Sequence, residues 1–183
     1  MQPIPYFGER LRGDWIWEPK VDGWRLQVIR YSSKRIECWG RRLERTPNWT
    51  DKLPSIVKSA TSLPSGTLLD CELTTKRGRR FIPSIFSPKP KEEPLVYLFD
   101  IVFYDGEFVG GLPLKERKYL LKTLNLSPPF KMLEYHPLKD LRRELSKSIR
   151  GGYEGIVIKR LNSPYKLARD GPIATQDWRK IKG

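Results

Sequence analysis

Three observations predict an α+β fold of antiparallel β-sheets flanked by helices. Strand-like runs fall into hairpins, helical periodicities are inserted between them, and the 183-residue sequence has no internal repeat. Alternation over Trp24 to Tyr31, with Leu26 and Val28 on one face, reads as a strand. Its hairpin partner is Arg35 to Trp39, across Ser32-Ser33-Lys34. A helix is predicted over Asp51 to Ala60, then a turn at Pro64-Ser65-Gly66 into a strand over Thr67 to Thr75. Leu95 to Tyr104 is a β-prone run closed by Asp105-Gly106, a hairpin-type turn. Helices are predicted over Leu114 to Leu124, with Leu114, Tyr119, Leu120, Leu121 and Leu124 at helical spacing, and over Leu138 to Ile149, with a stripe of Leu138, Leu141, Leu145 and Ile149. Gly151-Gly152 ends the second of these, and Gly155 to Leu161 follows as a strand. Ser87 to Pro94, with three prolines, reads as an exposed loop.

A chain of this length can bury about 70% of the surface its unfolded form exposes, so it needs no disulfide or metal staple. Cys38 and Cys71 are too few for a disulfide framework or a four-ligand zinc site. Both sit in apolar strand-like runs, and buried free thiols in a reducing compartment are expected. The N-terminal stretch has no signal-type apolar core, and Leu95 to Tyr104 is too short to cross a bilayer and is broken by Asp100. A cytoplasmic protein, nucleoid-associated in a prokaryote, is the expectation. Lys plus Arg total 35 against 21 Asp plus Glu, a net charge of +14 spread along the chain. A polyanionic partner accounts for that surplus, and nucleic acid is favoured over membrane because no basic amphipathic helix stands out. Solubility is the plain alternative. Three Asn, three Gln and many Pro and Arg hint at a thermophilic source.

The most informative segment is Glu18-Pro19-Lys20-Val21-Asp22-Gly23-Trp24-Arg25, with a lysine just before an Asp-Gly turn that leads into a strand. Lysine, with an ordinary pKa of about 10.4, becomes nucleophilic at neutral pH only where cations or desolvation act on it. Arg25 is one such cation. On these residues alone, an ordinary hairpin with a solvated lysine is an equal reading.

Five further segments occur in a fixed order: Gly40-Arg41-Arg42, Leu69-Asp70-Cys71-Glu72-Leu73, Tyr97-Leu98-Phe99-Asp100 with Asp105-Gly106, Glu154-Gly155-Ile156-Val157-Ile158-Lys159-Arg160, and Asp177-Trp178-Arg179-Lys180-Ile181-Lys182. With Lys20 to Arg25 as motif I (Lys-x-Asp-Gly-x-Arg), they resemble the basic segment after motif I and motifs III, IIIa, IV and V of the covalent nucleotidyltransferases. The ATP-dependent DNA ligases and their relatives make up that superfamily. Pro113 to Lys118 is similar to a ligase helix start. The resemblance spans the whole chain, residues 1–183, as one adenylation domain with the nucleotidyltransferase (ATP-grasp-like) ligase core.

The resemblance implies that Lys20 forms a covalent bond to AMP from ATP and that AMP passes to the 5′-phosphate of a nick in double-stranded DNA, which the 3′-hydroxyl then seals. It puts Phe99 against adenine with Ile158 opposing it, and Glu18 as acceptor from the adenine amino group. Glu72 and Glu154 are implied as carboxylate ligands of Mg²⁺, whose hard oxygen preference they suit, with Glu72 also lining the nucleotide. Lys159, Lys180 and Lys182 alternate with apolar residues on two strands and form a phosphate cradle, Ile158 and Ile181 packing inward. Arg25 and Arg41, with Arg42 as substitute, are implied to hold phosphate, ribose or the nick 5′-phosphate. His136, the only histidine, matches no motif.

Two departures from the family pattern stand out. Cys71 replaces the usual glycine of motif III, which is tolerated where its side chain points into the core. The sequence stops at Gly183, before the OB-fold domain and sixth motif usual in the family. A sequence cut at a domain boundary, a minimal protein without that clamp on DNA, and a clamp borrowed from a separate OB-fold or DNA-binding partner are the open expectations. An RNA ligase, a capping guanylyltransferase and a non-catalytic nucleic-acid-binding module are the rival readings.

Overall fold

A computed structural model describes residues 1–41, 47–169 and 171–183. In chain order the strands and helices of the first half are β1 (Gln2–Pro5), β2 (Trp15–Pro19), β3 (Trp24–Ser32), β4 (Arg35–Gly40), α1 (Pro54–Ala60), β5 (Thr67–Thr74) and α2 (Ile82–Ile85). There follow β6 (Leu95–Tyr104), β7 (Glu107–Phe108), α3 (Leu114–Thr123), β8 (Phe130–Met132), β9 (His136–Pro137), α4 (Leu141–Arg150), β10 (Gly155–Arg160) and β11 (Ala174–Lys182). They divide into two units, one of residues 1–21, 111–116 and 133–183, the other of residues 22–110 and 117–132.

The first unit is organised on a five-stranded sheet in the order β1-β11-β10-β2-β9, antiparallel except that β1 runs parallel to β11. On one face Trp17, Ile156 and Ile158 form a core against which Leu138, Leu141 and Leu145 pack. The stripe read from the sequence is therefore real over three of its four members, while Ile149 is exposed. Helix α4 starts at Leu141 and not at Leu138, because the Asp140 side chain accepts from the Arg143 N–H at 3.0 Å and caps it. Leu138 instead donates its N–H to the Trp15 carbonyl at 2.8 Å, extending the β9 edge.

The second unit holds a six-stranded sheet, β4-β3-β5-β6-β7 with β8 parallel to β6. In the β3 and β5 register, Leu26 faces Cys71 and Val28 faces Leu69, so one face is continuously apolar. Cys38 and Cys71 lie in it as free, fully buried thiols. Burial pushes the Cys38 thiol up to about 12 and the Cys71 thiol well above its ordinary value. Both are inert at neutral pH. Cys71 thus points into the core, on the opposite side of the strand from Glu72.

The predicted helix at Asp51 begins as a single 3₁₀ turn, Thr50–Lys52, and becomes α-helical only from Pro54. Proline disfavours the helical conformation at the residue before it, and Leu53 sits at φ −126°, ψ 52°. Helix α3 spans the predicted range, but its buried face is Leu114, Arg117, Lys118 and Leu121, whereas Tyr119 is exposed. Two cations occupy a core face because each finds a buried partner, as described below. Among the described residues, no helix is long and apolar enough to cross a membrane.

Candidate active site

In the first unit, the backbone places Lys20 against the start of β10. The Lys20 N–H donates to the Gly155 carbonyl at 2.8 Å, and the Glu154 N–H donates to the Lys20 carbonyl at 3.1 Å. The Gly155 carbonyl also accepts from the buried Ser148 hydroxyl at 2.6 Å. Gly155 is required here: at φ +154° a Cβ would stand 2.0 Å from the Ile181 carbonyl oxygen of the next strand.

This pairing brings the two side chains together. The Lys20 ammonium donates to one oxygen of Glu154, and the Lys182 ammonium from β11 pairs with the other. Lys20 and Glu154 are 20% and 26% exposed, so the pair is sheltered but not sealed from solvent, whereas Lys182 is 60% exposed. Burial raises the Glu154 carboxyl, but hydrogen bonds from Lys182 and Lys20 outweigh it and hold the group below the ordinary 4.5. Its stabilising contribution is therefore present above that value and is lost only as pH falls through the lowered one. A carbon-13 titration of the Glu154 carboxyl is expected to show a midpoint below 4.5, rising in Lys182→Ala. A midpoint that Lys182→Ala leaves unmoved would contradict the clamp.

The same face of this sheet continues through Glu18, Val157 and Lys159, since Glu18 and Lys180 both lie opposite Val157, and Lys159 opposite Trp178. Lys159 and Glu18 form an ion pair of 2.7 Å with both side chains 2% exposed. The Lys159 ammonium also lies 4.1 Å from the centroid of the Trp178 ring, a desolvated cation–π contact. Trp178 was not singled out from the sequence; its place opposite Lys159 emerges only once the strand register is known.

One assignment is corrected. Ile158 lies on the other face, fully buried in the core with Trp17 and Ile156, because side chains alternate along a strand. Val157, half-buried beside Glu18 and Lys180, is the apolar residue of β10 on the Lys159 face. The inward packing expected of Ile158 and Ile181 is what the core shows.

In the second unit, Arg25 and Glu72 stand directly opposite each other on β3 and β5. The Arg25 guanidinium is gripped through two hydrogen bonds by the Asp70 carboxylate, which is fully buried. Its Cζ sits 4.6 Å over the centroid of Phe99. The sequence reading gave Arg25 no such partner; Asp70 two residues before Glu72, on the same face, was the available signal.

Phe99 falls at a β-bulge, where the register shifts: Asp70 pairs with Asp100 and Cys71 with Leu98. Bulges re-aim side chains and cluster at functional sites. This one is secured from α3. The Lys118 ammonium donates to the Phe99 carbonyl at 2.7 Å. The Arg117 guanidinium grips the Asp100 carboxylate at 2.8 and 3.1 Å, with both side chains fully buried. Gly23 opens the strand that carries Arg25, where a Cβ would lie 2.3 Å from the Leu73 carbonyl oxygen. Arg41 is exposed at the end of β4, and Arg42 lies outside the described residues.

A protein-built metal centre does not fit these residues. Among the described residues no group of three or more His, Cys, Asp or Glu side chains is gathered for an ion, and both Glu154 oxygens are taken by ammonium groups. The donor set suits an ion held mainly by phosphate and water with one or two carboxylates, the usual habit of Mg²⁺.

The sequence matches the ATP dependent DNA ligase domain family over residues 4–182, nearly the whole chain. The chain belongs to that family. Members of this ligase family are enzymes. Among curated ligases, this ligase domain is 34% identical over 182 residues to a DNA ligase of Archaeoglobus fulgidus, covering 90% of the chain and 31% of that protein. It is 31% identical over 181 residues to the multifunctional non-homologous end joining protein LigD of Pseudomonas aeruginosa, covering 93% of the chain and 20% of that protein. The ligase domain thus spans a third or less of these relatives' own length. A mycobacterial DNA ligase D solved with ATP and MES superposes with a TM-score of 0.73 at 21% identity, covering 98% of this chain and 59% of that one. That likeness establishes the nucleotidyltransferase fold of the ligase domain.

Proposed function

We propose that this chain is the catalytic adenylation domain of an ATP-dependent DNA ligase, that Lys20 becomes covalently bonded to AMP, and that the AMP is passed to the 5′-phosphate of nicked double-stranded DNA. The observation that carries the reading is the Lys20–Glu154–Lys182 cluster: a sheltered lysine held at its backbone and side chain, with an exposed cation sharing its carboxylate, in a ligase domain.

In the proposed first step the Lys20 ammonium loses its extra proton to solvent water, the neutral amine attacks the α-phosphorus of ATP, and a second proton leaves the nitrogen to solvent as the phosphoramidate forms. A P–N bond forms as the bond to the β-phosphate oxygen breaks, and pyrophosphate leaves with the electron pair. Glu154 acts as a positioning residue, because as a carboxylate with a depressed pKa it aims the lysine and is a weak acceptor for its proton. Lys182 and Lys180, on the same strand face, are proposed to neutralise phosphate oxygens. Glu18 and Lys159 close the buried end of that face, where the proposal places adenine and phosphate recognition, with Val157 in place of Ile158. Phe99, aimed by its bulge, is proposed to stack on adenine. Arg25 and Arg41 are proposed to contact ribose or phosphate. Glu72 and Glu154 are the carboxylates that would accompany Mg²⁺, which when bound offsets negative charge on the phosphate oxygens.

The test is incubation with α-labelled ATP and Mg²⁺ followed by denaturing electrophoresis. Label that stays with the chain, resists alkali and is released by acid identifies a lysyl phosphoramidate. Transfer of that label to nicked DNA in preference to nicked RNA separates a DNA ligase from an RNA ligase. An unlabelled wild-type chain would refute the reading.

A further inference from the structure

The segment joining β5 to α2 carries a basic run, Lys76-Arg77-Gly78-Arg79-Arg80, that the proposed nucleotide chemistry does not use. We propose that this turn is a docking surface for the sugar-phosphate backbone of duplex DNA, with Arg77 and Arg80 as its phosphate contacts; this rests on the DNA ligase reading above.

Geometry, beyond charge, singles out this run. The turn is closed on itself. Gly78 donates its N–H to the Thr75 carbonyl at 3.0 Å, and the buried Thr75 hydroxyl donates to the Gly78 carbonyl and accepts from the Arg77 N–H, both at 3.1 Å. Gly78 itself takes φ +91°, which favours glycine. From this rigid base the side chains fan out over one phenyl ring. The Arg77 Cζ lies 3.8 Å and the Arg80 Cζ 5.1 Å from the centroid of Phe81.

Contact with the ring restrains both guanidinium groups on exposed side chains, and a guanidinium held in this way is suited to grip phosphate through two bonds. A solvated charge needs no such scaffold. Pre-ordering also lowers the side-chain entropy that binding has to overcome. The ion pairs already present are easily exchanged for phosphate: Arg77 with Glu92 at 2.9 Å and Arg79 with Asp22 at 3.1 Å, the two arginines 62% and 57% exposed. Asp22 belongs to the Lys-x-Asp-Gly segment, so Arg79 ties the turn to the strand entry that follows Lys20 in sequence. The occupant that complements this fan, on a chain of net charge +14, is a regular polyanion.

The experiment measures equilibrium binding of the full chain to a 5′-phosphorylated nicked DNA duplex, without ATP, over about 50 to 200 mM salt. Wild type is compared with the double variant Arg77→Gln, Arg80→Gln and with a charge-matched control, Lys89→Gln, Lys91→Gln, on the exposed loop before β6. Loss of two phosphate contacts is expected to make the log–log salt slope shallower by about 1.8 in the arginine variant, and by less than half of that in the control. Self-adenylylation of the arginine variant is expected within about twofold of wild type, since neither residue belongs to the nucleotide chemistry. An unchanged slope in the arginine variant overturns the proposal, as does an equal change in both double variants, which would mean general charge alone. Tighter binding of an all-RNA nicked duplex through the same two arginines assigns the surface to RNA and also overturns it. A wild type that forms no lysyl-AMP defeats the ligase reading separately, while the slope comparison still decides this surface.

Discussion

Lys20→Ala is expected to abolish the acid-released AMP label, a loss of more than about 1,000-fold, because removal of a nucleophile leaves no atom to form the bond. Lys20→Arg is expected to fail as completely. An arginine keeps the charge and the ion pair to Glu154 but stays protonated and offers no nucleophilic lone pair. That comparison separates chemistry from architecture, since a lysine needed only to neutralise Glu154 would be replaced adequately by arginine. Lys182→Ala provides the intermediate case. Lys182 shares Glu154 but has no backbone tie to Lys20, and a lost phosphate contact costs about 100-fold. Label surviving in Lys20→Ala at a tenth of the wild-type level would sink the assignment of the nucleophile. Quantified single-turnover labelling of the three variants beside wild type decides among these outcomes.

Lys20, Glu154 and Lys182 were legible because each is a charged residue at a fixed place in an ordered motif, and the sheet then draws motifs separated by more than a hundred residues onto one face. Which face was less legible. Ile158 and Val157 differ by one position, and a shift of one residue along a strand exchanges the core side for the side that carries Glu18 and Lys180. The tryptophan in the middle of β2 fixes the outcome: Trp17 pairs with Ile158 and both turn into the core, leaving Glu18 and Val157 on the other side. Short strands were missed for a different reason. Gln2–Pro5 contains two prolines and His136–Pro137 has two residues, so neither shows a period. The bulge at Phe99 was invisible for a third: one extra residue on β6 changes no local propensity and appears only when β5 is laid beside it.

Helix α3 shows how a rule of composition fails where polar partners are buried. Its apolar spacing pointed to Tyr119 along with Leu114 and Leu121; the two leucines are buried, yet Arg117 and Lys118 share that face and Tyr119 is exposed. Cations almost never occupy such sites unpaired. The partners lie on β6, where Asp100 takes Arg117 and the Phe99 carbonyl takes Lys118. An acidic residue interrupting a β-prone run was the available signal. In the sequence Asp100 reads as a break in an apolar run and as the last residue of the Tyr97-Leu98-Phe99-Asp100 segment, with nothing there to pair it with Arg117.

That network carries the second large effect. Arg117→Ala takes the guanidinium away from the fully buried Asp100 carboxylate, which also accepts from the Ile101 N–H at 2.9 Å. Breaking one side of a buried ion pair costs about 3–5 kcal/mol, a large part of the stability of an ordinary domain. Urea unfolding is expected to show that loss, and thermal unfolding a lowered midpoint. Replacing both partners, Arg117→Leu with Asp100→Leu, is expected to restore most of the stability, because the penalty belongs to the uncompensated charge. It is not expected to restore AMP labelling in full, since the carboxylate adjoins the bulge that aims Phe99. Recovery of stability without recovery of labelling would show that the buried pair positions Phe99 as well as supporting the fold. Full labelling in the double variant would reduce the pair to a structural role, and a single variant within 1 kcal/mol of wild type, by the scale of such pairs, would show that Asp100 finds another partner.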